Sequence, residues 1–256
     1  MKNKKLVLVL VVLGSVAMFM ASPNSWASSL DDIKAKGVLV FATDATYPPF
    51  ESVDKDGKII GFDVDVGNEV ARRLGLKAQF VNTAWDGIFM GLNAKNYDVI
   101  ISSVSITPQR QEAYDFSMPY KDSYQILVVK KEEKDIKAKD DLKGKKIGVQ
   151  IGTTSEKEAK SVAGVGEVKS YNTFVEPFME LAFGRVEAVI VNGAVANTFV
   201  QRYPDKFKIT GEPFLYNKQG IVIRKGEKEL KEAIDKVLKQ MTDEGWITKL
   251  REKYMI

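Results

Sequence analysis

The chain has 256 residues, 45% hydrophobic and 28% charged, which is ordinary globular composition and length enough for two compact units. It has no His and no Cys, which excludes disulfides, most zinc sites and the Ser-His and Cys-His nucleophile arrangements. Its formal charge is +4, but Lys2, Lys4 and Lys5 supply three of the positives, so the body is near neutral at +1 and lacks the clustered cations that nucleic acid demands.

The N-terminus reads as an address. Lys2 to Lys5 is a basic segment, residues 6–21 are apolar or small, and Ser25-Trp26-Ala27 places small residues where a signal peptidase reads. Residues 1–27 are therefore expected to be a cleaved signal peptide. The apolar run is shorter than the roughly 20 residues of a membrane span, and no Cys is present for lipid attachment. The expected mature protein is free, soluble and periplasmic.

Along the mature chain, Val38 to Thr43 is a short run of β-formers and predicts a strand. Ile59 to Phe62 follows the Asp56-Gly57 turn signal. Apolar residues at Val66, Val70 and Leu74 carry the helical interval over 63–74, and Gly75 ends it. Ala78 to Val81 predicts a strand, Trp85 to Leu92 a helix and Val99 to Ser102 a strand. This β-α-β-α-β alternation predicts a parallel sheet covered by helices. The pattern returns with strands at 124–130, 145–149, 168–171 and 188–191. Helices are predicted from Gly152-Thr153-Thr154 onward, over 175–183 and over 194–203. A strand at 220–224 and helices over 227–241 and 246–254 complete the chain. Two α/β units follow, with the chain crossing between them twice: 28–120 and 217–256 form one lobe, 121–216 the other.

Four stretches make the reading specific. They are Ala42-Thr43-Asp44-Ala45-Thr46-Tyr47-Pro48-Pro49-Phe50-Glu51, then Gly61-Phe62-Asp63-Val64-Asp65, then SSVSITPQR from Ser102 to Arg110 leading into Asp115-Phe116-Ser117, and finally Asp243-Glu244-Gly245-Trp246. In this order they resemble the family 3 extracellular solute-binding proteins, the polar amino-acid receptors of ABC importers, and most of all those for lysine, arginine, ornithine and histidine. The resemblance implies the type II periplasmic-binding-protein fold, two α/β lobes joined by a two-strand hinge that close over a ligand. It implies an amino-acid ligand, a transient permease partner, a monomer and no cofactor.

A guanidinium offers a planar fork that matches a carboxylate in two parallel bonds, and the resemblance makes Arg110 the grip on the ligand's α-carboxylate. Ser103 and Ser105 are spaced to point hydroxyl and N–H groups at the same oxygens. Thr154, where a strand gives way to a helix, is implied on the lobe 2 side of that carboxylate. Tyr47 and Trp85 are implied to flank the ligand side chain, since aromatic faces attract cations. Asp44 is placed to accept from a cationic tip. Gln150 is expected at the same cleft. Glu51 lies nearby, with a solvated surface carboxylate as its plain reading. One position departs from the family: where a carboxylate meets the ligand's α-ammonium, this chain has Asn192, which accepts a hydrogen bond without an ion pair.

Two rival functions are weighed. Some proteins of this fold are cyclohexadienyl or arogenate dehydratases, and that chemistry needs a general acid in the cleft. The resembling enzymes place a Glu about one helical turn past the amine-site position, where this chain has Val195. A ligand sensor would carry attached signalling domains, and this chain ends at Ile256. The expected function is a receptor for a basic amino acid, with a polar neutral amino acid or another small carboxylate as the alternative, and not an enzyme.

Overall fold

Short runs of β-branched and aromatic residues make strands and 3.6-period runs make helices. In the computed structural model, which describes residues 29–256, these elements build two five-stranded sheets clothed in helices. The expected signal peptide lies outside the described residues.

The chain opens with α1 (Ser29–Lys36) and β1 (Val38–Thr43). A small antiparallel sheet follows, of β2 (Thr46–Tyr47), β3 (Glu51–Val53) and β4 (Ile59–Ile60). Next come α2 (Phe62–Arg73), β5 (Lys77–Asn82), α3 (Trp85–Asn93), β6 (Val99–Ile100), α4 (Pro108–Ala113) and β7 (Tyr114–Phe116). The second sheet begins with β8 (Lys121–Lys130), then β9 (Lys146–Gln150), α5 (Thr154–Ser161), β10 (Glu167–Tyr171), α6 (Val175–Ala182), β11 (Ala188–Asn192), α7 (Gly193–Arg202) and β12 (Phe207–Gln219). The chain ends with β13 (Val222–Arg224), α8 (Lys228–Asp243) and α9 (Trp246–Tyr254).

The first sheet has the order β5-β1-β6-β13-β7 and the second β10-β9-β11-β8-β12. Each is parallel through three strands only. β13 runs antiparallel to β6 and β7, and β8 runs antiparallel to β11 and β12. The purely parallel sheets expected from the sequence are thus mixed, because the chain enters each sheet from the other lobe as well as by helical crossover. The second sheet's last strand also runs to Gln219, past the expected return at 217. No strand is expected from the sequence over 207–219; β12 accommodates Gly211 and Pro213 because it is an edge strand with register shifts between Thr210 and Asn217.

Both sheets are apolar on both faces. In β8, Ile126 and Val128 pack one way and Leu127 and Val129 the other. α8 buries Leu230, Ile234, Val237, Leu238 and Met241, an apolar stripe at helical spacing, against the first lobe. Lys253 and Tyr254 of α9 hold Asp65 of α2, and Arg73 of α2 holds Glu244. The C-terminal helices are thereby fastened back onto the lobe in which the chain began.

The site depends on how β3 meets α2. Gly61 caps α2 at φ 142°, a conformation L side chains rarely adopt. The first free N–H groups of α2 are taken by the chain just before β3: Phe62 N donates to Pro49 O at 3.1 Å and Asp63 N to Phe50 O at 3.0 Å. A Cβ on Gly61 would lie 2.1 Å from Phe50 O. Gly61→Ala is expected to cost about 3 kcal/mol, from overpacking plus a disallowed φ, measured by urea unfolding. A loss below about 1 kcal/mol would show that this junction relaxes freely.

Candidate functional site

Open α/β sheets bind ligands beyond the carboxyl ends of their parallel strands. In the first sheet β1 hands over to Asp44, β6 leads into Ser102 to Ser105, and β5 leads to Trp85 at the start of α3. In the second, β9 ends on Gln150 and leads to the turn that opens α5. These two edges meet. Gln150 Nε2 donates to Asp44 Oδ2 at 2.6 Å, Arg110 Nη2 donates to Gly152 O at 3.3 Å, and the Tyr47 and Phe174 rings lie 4.0 Å apart. Between them is a cavity of about 30 Å³, room for about two waters. An amino acid enters only if the lobes part.

The cavity is lined by Asp44, Tyr47, Trp85, Ser103, Ser105, Arg110 and Thr154, all of them predicted from the sequence. Gln150 stands behind Asp44, fully buried, with its Oε1 unpartnered. The wall also includes Glu51, Ser102, Gln125, Thr153, Ser155, Phe174 and Gln219. Gln125 had a usable signal, since it stands at the head of the apolar run Ile126 to Val129, and a polar residue inside a buried strand is informative. Ser102 was legible as the first residue of the SSVSITPQR stretch. Phe174 carried no signal apart from preceding a helix.

Among the described residues Arg110 is the one cation on that wall. Its guanidinium lies 5.3 Å from the Trp85 ring and 5.4 Å from the Phe89 ring. Nη1 donates to Ser105 O at 3.0 Å. No carboxylate lies within ion-pair distance of it among the described residues. Burial pushes its pKa down to about 10, far enough above neutrality to stay charged. A partly desolvated cation facing a cleft, with no counter-charge among the described residues, favours an anion beside it.

Asp44 is buried, with Oδ1 accepting from Thr46 Oγ1 at 2.9 Å and its backbone N donating to Ser102 Oγ at 3.0 Å. Burial raises its pKa above the usual carboxylate range. Ser103 adopts φ 50°, an unusual conformation outside glycine. Asp63 holds it there, accepting from both the Ser103 backbone N and, at 3.1 Å, Ser103 Oγ. The small sheet and α2 therefore set the geometry of the loop that carries Ser103 and Ser105.

Glu51 and Asn192 reverse their sequence readings. Glu51 is fully buried rather than solvated and takes Ser102 Oγ at 2.9 Å. Burial, reinforced by nearby Asp63, pushes its carboxyl well above the usual range, while Lys121 acts the opposite way. Asn192 does not line this cavity. Its Oδ1 accepts from Ala194 N at 2.8 Å and so caps α7, and its Nδ2 donates to Ser123 Oγ at 2.7 Å. It faces a separate pocket behind the hinge, with Lys121 and Arg251. A helix start needs its N–H groups satisfied, and that local demand takes the amide away from the cleft.

The comparisons agree with this architecture. The chain is similar to the L-cystine-binding protein TcyJ of Escherichia coli (strain K12), 37% identical over 227 residues covering 88% of this chain and 85% of that one. It superposes on holo ArgBP from T. maritima with TM-score 0.80 at 39% identity, covering 88% of this chain and 99% of that one. An ancestral arginine-binding protein, solved bound to arginine and bound to glutamine, gives TM-score 0.82 at 44% identity over 85% of this chain and 98% and 97% of the two structures. Residues 39–256 match the profile of the bacterial extracellular solute-binding proteins, family 3, and the chain belongs to that family.

Proposed function

We propose that this protein is a periplasmic receptor that captures a basic amino acid, such as arginine, lysine or ornithine, and delivers it to an ABC importer. The observation that carries the reading is Arg110, a desolvated guanidinium without a counter-charge, facing a cavity whose other ionisable wall groups include the acids Asp44 and Glu51. One cation and two acids complement a ligand with one carboxylate and two cationic groups. Trp85 and Tyr47 supply aromatic faces for its stem.

The ligand docks on the first lobe, at Arg110, Ser103 and Ser105. Thr154 and the turn before it then close from the second lobe. Gln150 to Asp44 and Tyr47 to Phe174 are contacts made only in the closed arrangement, so they bias the open-closed balance. A permease reads the closed shape.

L-cystine, suggested by TcyJ, brings two carboxylates, and the wall offers one cation. Glutamine, suggested by the ancestral protein, leaves one acid unmatched. A dehydratase reading has no support at Val195, which is fully buried in the core.

The test is a thermal-shift and calorimetry panel on the mature protein: arginine, lysine, ornithine, glutamine, cystine and prephenate. A ligand at 100 times its Kd adds about 2.7 kcal/mol, a shift of a few degrees at this size. Arginine, lysine or ornithine is expected to give the largest shift. A shift with cystine or glutamine alone overturns the basic-ligand assignment, and turnover of prephenate overturns the receptor.

A further inference from the structure

Glu51 is the second acid on the cavity wall, and the contacts described so far leave half of its carboxylate unused. Oε1 accepts from Ser102 Oγ, which in turn accepts from Asp44 N. Glu51 is thus anchored to the loop that carries Ser103 and Ser105. Oε2 is buried and has no hydrogen-bond partner. Buried carboxylate oxygens without a donor are rare and call for an occupant. At the position where the resembling receptors carry an acid for the ligand's ammonium, Asn192 is neutral and both ends of its amide are committed elsewhere. The ammonium of an α-amino acid has three donors and needs an acceptor close to the group that holds its carboxylate. Among the acids lining the cavity, Asp44 is held by Thr46 and, in the closed arrangement, by Gln150, whereas Glu51 Oε2 is held by nothing.

We propose that Glu51, through Oε2, receives the α-ammonium of the ligand from the first lobe, in place of the second-lobe acid that Asn192 replaces. This inference rests on the amino-acid reading above. It shifts ammonium recognition from the closing lobe to the docking lobe, so both ends of the zwitterion are gripped before closure. The charged groups facing Glu51 are Asp63 of α2, Lys121 of β8 and Asp44 beyond β1. Burial and the two acids favour its protonated form; Lys121, and an arriving ammonium with it, favour the carboxylate.

The experiment is calorimetry at pH 7, with a ligand-free melt of each variant. The probes are L-arginine, L-glutamine, L-cystine and the des-amino analogue of arginine. For the L-amino acid that the wild type binds, Glu51→Gln is expected to weaken binding by about 10- to 100-fold. The des-amino analogue should change by less than about threefold. Asn192→Asp added to Glu51→Gln is expected to recover about tenfold, since it restores an acid on the opposite wall, and such a recovery separates lost recognition from lost fold. Glu51→Gln binding within threefold of wild type, or an equal loss for the amino acid and its des-amino analogue, overturns the role of Glu51 alone. Wild type that binds no amino acid overturns the receptor reading and takes this inference with it.

Discussion

Arg110→Ala is expected to abolish amino-acid capture, raising Kd at least about 100-fold while leaving the ligand-free fold nearly unchanged. The two halves of that result have different causes. In the complex, a guanidinium fork and a carboxylate are both desolvated, and truncating one partner strands the other, at a cost of about 3 kcal/mol or more. In the free protein, Arg110 pairs with no acid among the described residues and bonds only the carbonyls of Ser105 and Gly152. Its removal relieves a half-buried charge while losing cation–π contact with Trp85 and Phe89, two effects of opposite sign and about 1 kcal/mol each. Arg110→Lys keeps the charge without the fork and should fall between. Calorimetry gives Kd and a ligand-free melt gives stability. Binding retained within tenfold sinks the assignment, and a large drop in the ligand-free melt would make Arg110 structural instead.

Lys121→Met should be the most destabilising change near the hinge. Lys121 opens β8 opposite Gln219 of β12, where the chain passes between lobes. It is buried, and its Nζ donates to Ser103 Oγ at 3.0 Å and to Gln219 Oε1 and lies 3.4 Å from the centre of the Phe50 ring. Burial pushes its pKa down to about 8, and Asp63 and Glu51 hold it from falling further. Methionine fills the space but leaves two buried acids without their cation, at about 3 kcal/mol.

The pH dependence follows from Glu51. Its folded-state pKa lies above its unfolded value. Such a group contributes stability that is present below the unfolded pKa and lost as pH rises through the folded one. Removing Lys121 raises Glu51 further, so the variant's deficit grows as pH rises above the ordinary carboxylate range, for as long as Lys121 itself stays charged. Urea unfolding of both proteins from pH 5 to pH 7.5 measures this. A deficit below about 1 kcal/mol, or one that shrinks as pH rises, contradicts the argument.

Most secondary structure and much of the site were legible from local signals. Strands at 38–43 and 188–191, the helix over 246–254 and the stretch from Ser102 to Arg110 follow from period and motif. β12 was not, because Gly211 and Pro213 signal a loop wherever an edge strand is not already known to exist. The mixed sheets were not, because strand direction depends on which lobe the chain arrives from. Lys121 and Gln219 are 98 residues apart and meet only through the pairing of β8 with β12.

The sequence by itself determined most of the helices and central strands and the order of the four family stretches, since these rest on neighbours within a few residues. The tertiary structure decided which polar groups are buried and what holds them. Glu51 looks like a surface acid until α2 and the Ser102 loop close over it. Asn192 looks like a ligand group until the start of α7 claims its oxygen. Burial and hydrogen-bond competition are settled between residues distant in the chain, so no local pattern records their outcome.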